Sequence, residues 1–394
     1  MRIGLFTDVY LPYVSGVVTA VDTLKTALEK QGHEVFVVTI NPDRKRFRYK
    51  KEGHIIRIPG IPSNINNYNI RIGYPFRAVK MIKDLNLDVI HCHTEFGIGL
   101  FGKSVAKKFN IPYVQTLHTM YEDAIGYITK GLFPRLSNRA AIKLTKLYYN
   151  DPYLDEIIVP GEKVKKLLKN KYHIKHNVTV IPNGIELSHF YKENVSKKQI
   201  QKVKSKLGIK DSDFVILWVG RLGYEKNIDL LVSNHKKILE QAPNARLLIV
   251  GGGPHEDKLR AIAKKNKISD KVIFAGMIKH DEVPVYFHIG DVFATASSFE
   301  TQGLTLIESL AADTPVLCIK DDSFTDIVTD NKNGLVFKNA NEYVKCVLSL
   351  IKDNNRLKEL KNNSRSSVDK YSMEEFAKKT LKIYEKAIKE HYDK

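Results

Sequence analysis

The sequence predicts an α/β chain built of two doubly wound, parallel-sheet halves, and three observations predict it. β-like and helix-like segments alternate from end to end, the pattern of parallel sheets covered on both faces. The alternation restarts near residue 200, after the polar stretch "ELSHFYKENVSKKQ". The length, 394 residues, suits two domains of about 100–200 residues each. A composition of 43% apolar and 27% charged residues belongs to a folded globular chain.

The elements follow in order. "RIGLFT" is a short apolar run that ends in a loop, as a buried strand does. "GVVTAVDTLKTALEKQG" has helical periodicity and stops at Gly32. "HEVFVVTI" reads as a strand, "AVKMIKDLN" as a helix and "LDVIHCHT" as a strand. "FGKSVAKKFN" is helical and "IPYVQTLHT" extended; after a basic helical region, "DEIIVP" and "NVTVIPNG" are strands again. The second half opens with the helical "KQIQKVKSKLG" and the strand "FVILWVG". "ARLLIVGGG", "KVIFAG", "DVFATAS", "TPVLCI" and "GLVFK" are its further strands, with helices between them. The expected division is 1–192, 193–372 and a final helix, 373–394, that no strand follows and that crosses back to the first domain.

Several classes are excluded early. Three cysteines, Cys92, Cys318 and Cys346, make no disulfide framework and fit a reducing cytosol. The opening "MRIGLFTDVYLPYVSG" is not read as a signal peptide, because its apolar run is strand-length and leads into Asp8. No window has the ~18 uncharged apolar residues of a membrane span. The net charge is +19; residues 1–200 carry 31 Lys and Arg against 17 Asp and Glu, a net +14. A basic half points to a polyanionic partner, an anionic membrane surface or nucleic acid. The basic runs lack interleaved stacking aromatics, which speaks against nucleic acid.

Open parallel sheets bind ligands beyond the carboxyl ends of their strands. In the second half those ends are informative. "FVILWVG" runs into Arg221, with Lys226 five residues on; two cations there suit a diphosphate, Arg in a forked geometry and Lys as a point charge. "ARLLIV" runs into Gly251, Gly252, Gly253 and Pro254, where backbone can approach a ligand closely. "DVFATASS" ends just before Glu300. Thr301, Gln302, Gly303 and Leu304 then open a helix whose free N–H groups form an anion site. Glu308 lies farther along that helix, seven residues intervening after Glu300. Two acids flanking amides and two cations describe a nucleotide sugar. The plainer alternative makes Glu300 a helix cap and Glu308 a residue of the wet face.

"FETQGLTLIE" with its two glutamates, "GRLGYEKN" and "GGGP" together resemble the retaining glycosyltransferases of family 4, which have the GT-B fold. In the first half "PYVSGVVTAV" resembles that family's glycine loop, and "HTEFGIG" and "TLHTMYED" resemble its cleft-facing segments. The likeness spans essentially the whole chain. It is strongest to the diacylglycerol glucosyltransferases of bacterial membranes.

The resemblance implies two Rossmann-like domains facing each other across a cleft. The first takes the acceptor and the membrane, and the second the nucleotide sugar. It implies retaining transfer of glucose from UDP-glucose to 1,2-diacylglycerol, giving α-monoglucosyldiacylglycerol at the cytoplasmic membrane surface, with no metal required. Arg221 and Lys226 would neutralise the leaving diphosphate. Glu300 would hold sugar hydroxyls, Glu308 the ribose, and His118 the sugar and its oxocarbenium-like transition state. Gly16, Gly252, Gly253, Ile278, Thr301, Gln302, Gly303 and Leu304 would complete the donor site. His91 and His93 of "HCH" share a strand face, but no third metal ligand is evident.

The basic helical region "GLFPRLSNRAAIKLTKLYY" adds a surface. At about 100° per residue, Phe133, Leu136, Ala140, Leu144 and Leu147 form a stripe, with Arg135, Arg139, Lys143 and Lys146 beside it. That is the pattern of a helix lying in a membrane interface; "NPDRKRFRYKK" adds to the cationic half. The partners expected are a nucleotide sugar, diacylglycerol and anionic lipid, with no nucleic acid. A transferase acting on a soluble or polyprenyl-linked saccharide with a UDP- or GDP-sugar, a nucleotide-sugar epimerase and a basic nucleic-acid binder are the competing readings.

Overall fold

The computed structural model describes residues 1–393 apart from 14, 44–47, 63–68, 72, 119–141, 144, 298–299 and 301. It resolves into two units: Met1–Gly184 with Met373–Lys394, and Ile185–Ser372.

In the first unit an eight-stranded sheet is built from β1 (Arg2–Phe6), β2 (Glu34–Ile40), β3 (Lys50–Glu52), β4 (Ile55–Ile58), β7 (Val89–Cys92), β8 (Tyr113–Thr116), β9 (Glu156–Val159) and β10 (Val178–Val180). Their spatial order is β10-β9-β8-β7-β1-β2-β4-β3. The pairs are parallel, except that β3 runs antiparallel to β4. A separate pair, β5 (Ile61–Pro62) and β6 (Asn69–Ile70), forms a small antiparallel ribbon. Buried on both faces, these strands alternate between two cores. Phe6, Phe36, Val38 and Ile40 enter one, while Ile3, Leu5, Val35 and Val37 enter the other.

The second core is closed by two helices. The first, α1 (Gly16–Lys30), is started by Ser15, whose hydroxyl accepts from the Val18 N–H at 3.3 Å. The final helix, Met373–Tyr392, places Phe376, Ile383 and Tyr384 in that same core. It belongs to the same unit as residues 1–184. Strands β3 to β6 went unread in the sequence. β4 is only four residues long and is interrupted by Arg57, a buried guanidinium that pairs with Glu52 at 2.6 Å.

The second unit holds a six-stranded, all-parallel sheet: β11 (Phe214–Val219), β12 (Ala245–Val250), β13 (Val272–Gly276), β14 (Val292–Thr295), β15 (Val316–Ile319) and β16 (Gly334–Phe337). Its order is β13-β12-β11-β14-β15-β16. Ile216, Trp218, Leu247 and Ile249 face one core; Val215, Leu217, Leu248 and Val250 face the other. The chain divides at Gly184/Ile185 rather than at 192/193. Residues 185–195 are not a linker because they carry apolar anchors. Leu187, Phe190 and Val195 are buried in the second unit's core, and the Ile185 N–H donates to the Tyr371 carbonyl at 3.0 Å.

Candidate active site

In the second sheet the strand order reverses between β11 and β14. An open parallel sheet leaves a ligand crevice at that point, beyond the carboxyl ends of the two strands. The segments leaving them carry Arg221, Lys226 and Glu300. Lys226 closes a single 3-10 turn, Tyr224–Lys226. Its Nζ donates to Glu300 Oε1 at 2.6 Å, and both side chains are 23% exposed. Asn227, in the left-handed region at φ 50°, ties the same two segments through its side-chain amide and the Ala296 carbonyl, 3.4 Å apart. Arg221 is paired with Glu225. Each cation that the sequence assigns to a diphosphate is therefore held by a carboxylate of its own unit. A diphosphate bound by these cations would exchange one anionic partner for another and would not meet a bare pair of charges.

The glycine-rich segment after β12 is fastened to its neighbours through backbone. Gly251 N–H donates to the Gly276 carbonyl at 2.9 Å, and Leu222 N–H to the Gly252 carbonyl at 3.0 Å. Gly251 stands at φ +127°, and a Cβ there would lie 1.8 Å from the Gly220 carbonyl oxygen, so only glycine fits. Ile278, just beyond β13, is partly buried against the core.

The helix carrying Glu308, Leu304–Ala311, begins at Gly303, which has φ +79° and no side-chain cap. Glu300 is thus not the cap that the plainer reading made it; its carboxylate goes to Lys226. Helix N–H groups left uncapped are donors for an anion. Gln302 is buried, and Thr301 lies outside the described residues. The segment after β15 backs this turn: Ser323 Oγ donates to the Glu300 carbonyl at 2.9 Å, and Phe324 packs over Gly303. Burial pushes the Glu308 carboxyl up to about 7.

The first unit has a switch point of its own, between β1 and β7. Asp8, after β1, accepts from the Ile98 N–H at 2.8 Å, and the Asp8 N–H donates to Thr94 Oγ1 at 3.1 Å. Burial raises the Asp8 carboxyl to about 6 and that of Glu95, which accepts from the Tyr149 hydroxyl, to about 8. His118, two residues past β8, is bonded to His93 at 3.0 Å, and burial lowers it to about 4. Gly16 opens α1 with open space where a side chain would stand. The sequence reading singled out neither Asp8 nor Glu95 as a candidate, and it weighed His93 only as a metal ligand. The signal available for all three was their position just after strands β1 and β7.

Family models match both halves: one for glycosyltransferase family 4 over residues 14–189, and one for glycosyl transferases group 1 over 199–367. The chain is 38% identical over 392 residues to the α-monoglucosyldiacylglycerol synthase of Acholeplasma laidlawii, covering 98% of this chain and 96% of that one. It belongs to glycosyltransferase family 4. A second family member, the synthase of the same name from Streptococcus pneumoniae, is 38% identical across 89% of this chain and 78% of its own. Anabaena HepE, solved with UDP-glucose, superposes with a TM-score of 0.73 at 15% identity, covering 97% of this chain and 98% of that one. At that identity it speaks for the GT-B fold alone.

Not every candidate residue read from the sequence falls on described residues. Phe133, Arg135, Leu136, Arg139 and Leu144 lie outside them. Of the remaining membrane candidates, Lys143 is exposed, Lys146 partly so, and Leu147 is 65% exposed. Thr145 and Tyr149 turn inward instead. Among the described residues no group of three or more His, Cys, Asp or Glu is placed to hold a metal, and no helix is long and apolar enough to cross a membrane.

Proposed function

We propose that this family 4 enzyme transfers glucose from UDP-glucose to 1,2-diacylglycerol, with retention, giving α-monoglucosyldiacylglycerol. The observation that carries the substrates is the likeness, over nearly the full length of both chains, to the Acholeplasma laidlawii synthase. The second unit supplies compatible chemistry. We assign Arg221 and Lys226 to the diphosphate, together with the uncapped helix start at Gly303 and Leu304 that follows Glu300. Gly252, Gly253, Ile278, Thr301 and Gln302 complete the proposed donor site, and Glu308 takes the ribose diol.

Retention follows from attack on the face the phosphate leaves. The acceptor hydroxyl attacks the anomeric carbon as the bond to phosphate breaks, and the departing phosphate oxygen takes the hydroxyl proton. Charge grows on that phosphate in the transition state, and preorganised cations act on it there. Lys226 is preorganised by its bond to Glu300. Glu300, relieved of Lys226 as the diphosphate claims it, is free to accept from a sugar hydroxyl. His118 and Gly16 are assigned to the sugar and the approach to acceptor and phosphate. The roles require no metal.

We assign the segment from Phe133 to Leu147 to the cytoplasmic face of an anionic membrane, as a peripheral contact. Thr145 and Tyr149 pack inward, which leaves Lys143 and Leu147 exposed together, a cation and a leucine available to a membrane surface. Incubation with labelled UDP-glucose and diacylglycerol in mixed micelles, followed by product separation and NMR of the anomeric proton, tests the whole reading. An α-glucosyl lipid is expected. Release of free sugar, or transfer only to a water-soluble saccharide, refutes it.

A further inference from the structure

The two histidines of β7 and its end, His91 and His93, have no part in the reaction as described, yet both are buried polar rings. His91 is fully accounted for: its Nδ1 bonds the Tyr384 hydroxyl at 2.7 Å and its Nε2 the Thr116 hydroxyl at 2.6 Å. His93 is not. Its ring lies against His91, centroids 4.0 Å apart, and its Nε2 is buried with no hydrogen-bond partner among the described residues. Its one polar contact among the described residues is Nδ1 to His118 Nε2 at 3.0 Å, with the two rings stacked at 21°. A phenyl ring would fill the same space without stranding a nitrogen, so packing alone does not account for an imidazole there.

We propose that His93 is a positioning residue for His118: it engages His118 Nε2, so that Nδ1 is the one nitrogen His118 offers to a substrate. This rests on the reading of His118 as a substrate-facing residue. A consequence follows from counting protons. Burial holds both rings well towards the neutral form. Between two neutral imidazoles the shared bond holds one proton. If it sits on His93 Nδ1, the proton of His118 must be on its own Nδ1. If it sits on His118 Nε2, that of His93 must be on Nε2. In either case the two histidines carry the same tautomer, and neither can switch alone. The partner of His118 therefore fixes whether Nδ1 donates or accepts.

The test uses the full-length enzyme labelled with 15N at histidine, with His93 and His118 assigned by substitution. Long-range 1H–15N spectra at neutral pH should show both rings neutral and in one common tautomer. In His93→Phe, His118 should lose its single tautomer and show averaged ring-nitrogen shifts. Turnover on UDP-glucose and diacylglycerol should fall on the order of tenfold to a hundredfold, with donor KM little changed and thermal stability held or raised. His93→Asn, whose amide stands where Nδ1 was, should recover most of the turnover. Opposite tautomers in the wild type, or a His118 unaffected in His93→Phe, overturns the proposal. So does a His93→Phe variant of full activity in an enzyme that His118→Ala disables. Full activity of His118→Ala with coupled tautomers would instead sink the reading of His118 and leave the pairing intact.

Discussion

Lys226→Ala separates ground-state binding from catalysis, and the structure sets the size of the effect. In the free chain Lys226 donates to Glu300 at 2.6 Å. When a diphosphate binds, the lysine exchanges one anionic partner for another, so its net contribution to donor affinity is small. In the transition state the departing phosphate has gained charge, and the same lysine contributes more. Removing one preorganised donor to developing charge costs about 2–4 kcal/mol, which is ~30- to ~900-fold in kcat. Stability should hardly move: both side chains are 23% exposed, and pairs open to water contribute about 0.2–1 kcal/mol. The assay is steady-state kinetics in mixed micelles, with UDP affinity by calorimetry and a thermal melt on the same preparation. The expected pattern is a large loss of kcat, a smaller change in donor KM and a nearly unchanged melting temperature. A kcat within about twofold of wild type would refute the reasoning. So would a loss expressed wholly in KM.

Glu308 supplies a pH test. Its folded carboxyl is raised to about 7, above the unfolded value, so the folded chain binds this proton more tightly than the unfolded chain. The stability it lends is present below the unfolded pKa and is lost as pH rises towards 7, at no more than ~1.4 kcal/mol per pH unit. A ribose contact needs the carboxylate as acceptor, so UDP affinity should rise through the same window and Glu308→Gln should flatten it; a flat wild-type curve removes the role. Gly251→Ala meets the Gly220 carbonyl at 1.8 Å and should destabilise the second unit by about 1–3 kcal/mol, read as a lower denaturant midpoint; an unchanged midpoint would show that the segment can shift. Replacing Arg135, Arg139, Lys143 and Lys146 with Ser should release the enzyme from anionic vesicles, at about 1 kcal/mol per cation. A short, water-soluble diglyceride should still be glucosylated, and equal pelleting of the variant would place the membrane contact elsewhere.

Both sheets were legible because their evidence is local. A parallel strand is an unbroken apolar run, and runs such as "FVILWV" and "ARLLIV" coincide with β11 and β12. The first helix was legible from its apolar periodicity, and the structure adds Ser15 as its cap. β4 was lost because Arg57 breaks its run, and its charge is compensated by Glu52, a partner visible only after the strands turn back on each other. The boundary near 185 was displaced for a related reason. "ELSHFYKENVSKKQ" is polar by count, yet Leu187, Phe190 and Val195 are its anchors, and burial is decided residue by residue.

The sequence by itself determined the fold class, because periodicity and glycine placement are written along the chain, and its motifs already resembled the family to which it belongs. Only the tertiary structure decided how those residues are paired. Glu300 was read as a cap or a sugar ligand; it is the partner of Lys226, 74 positions away. His93 was weighed as a metal ligand; its Nδ1 is bonded to His118, 25 positions away. The reason is the strand order. β11 and β14 adjoin at the switch point of one sheet and β7 adjoins β8 in the other, so residues distant in sequence leave neighbouring strand ends. No local pattern encodes that adjacency, because it arises only when the strands are laid side by side.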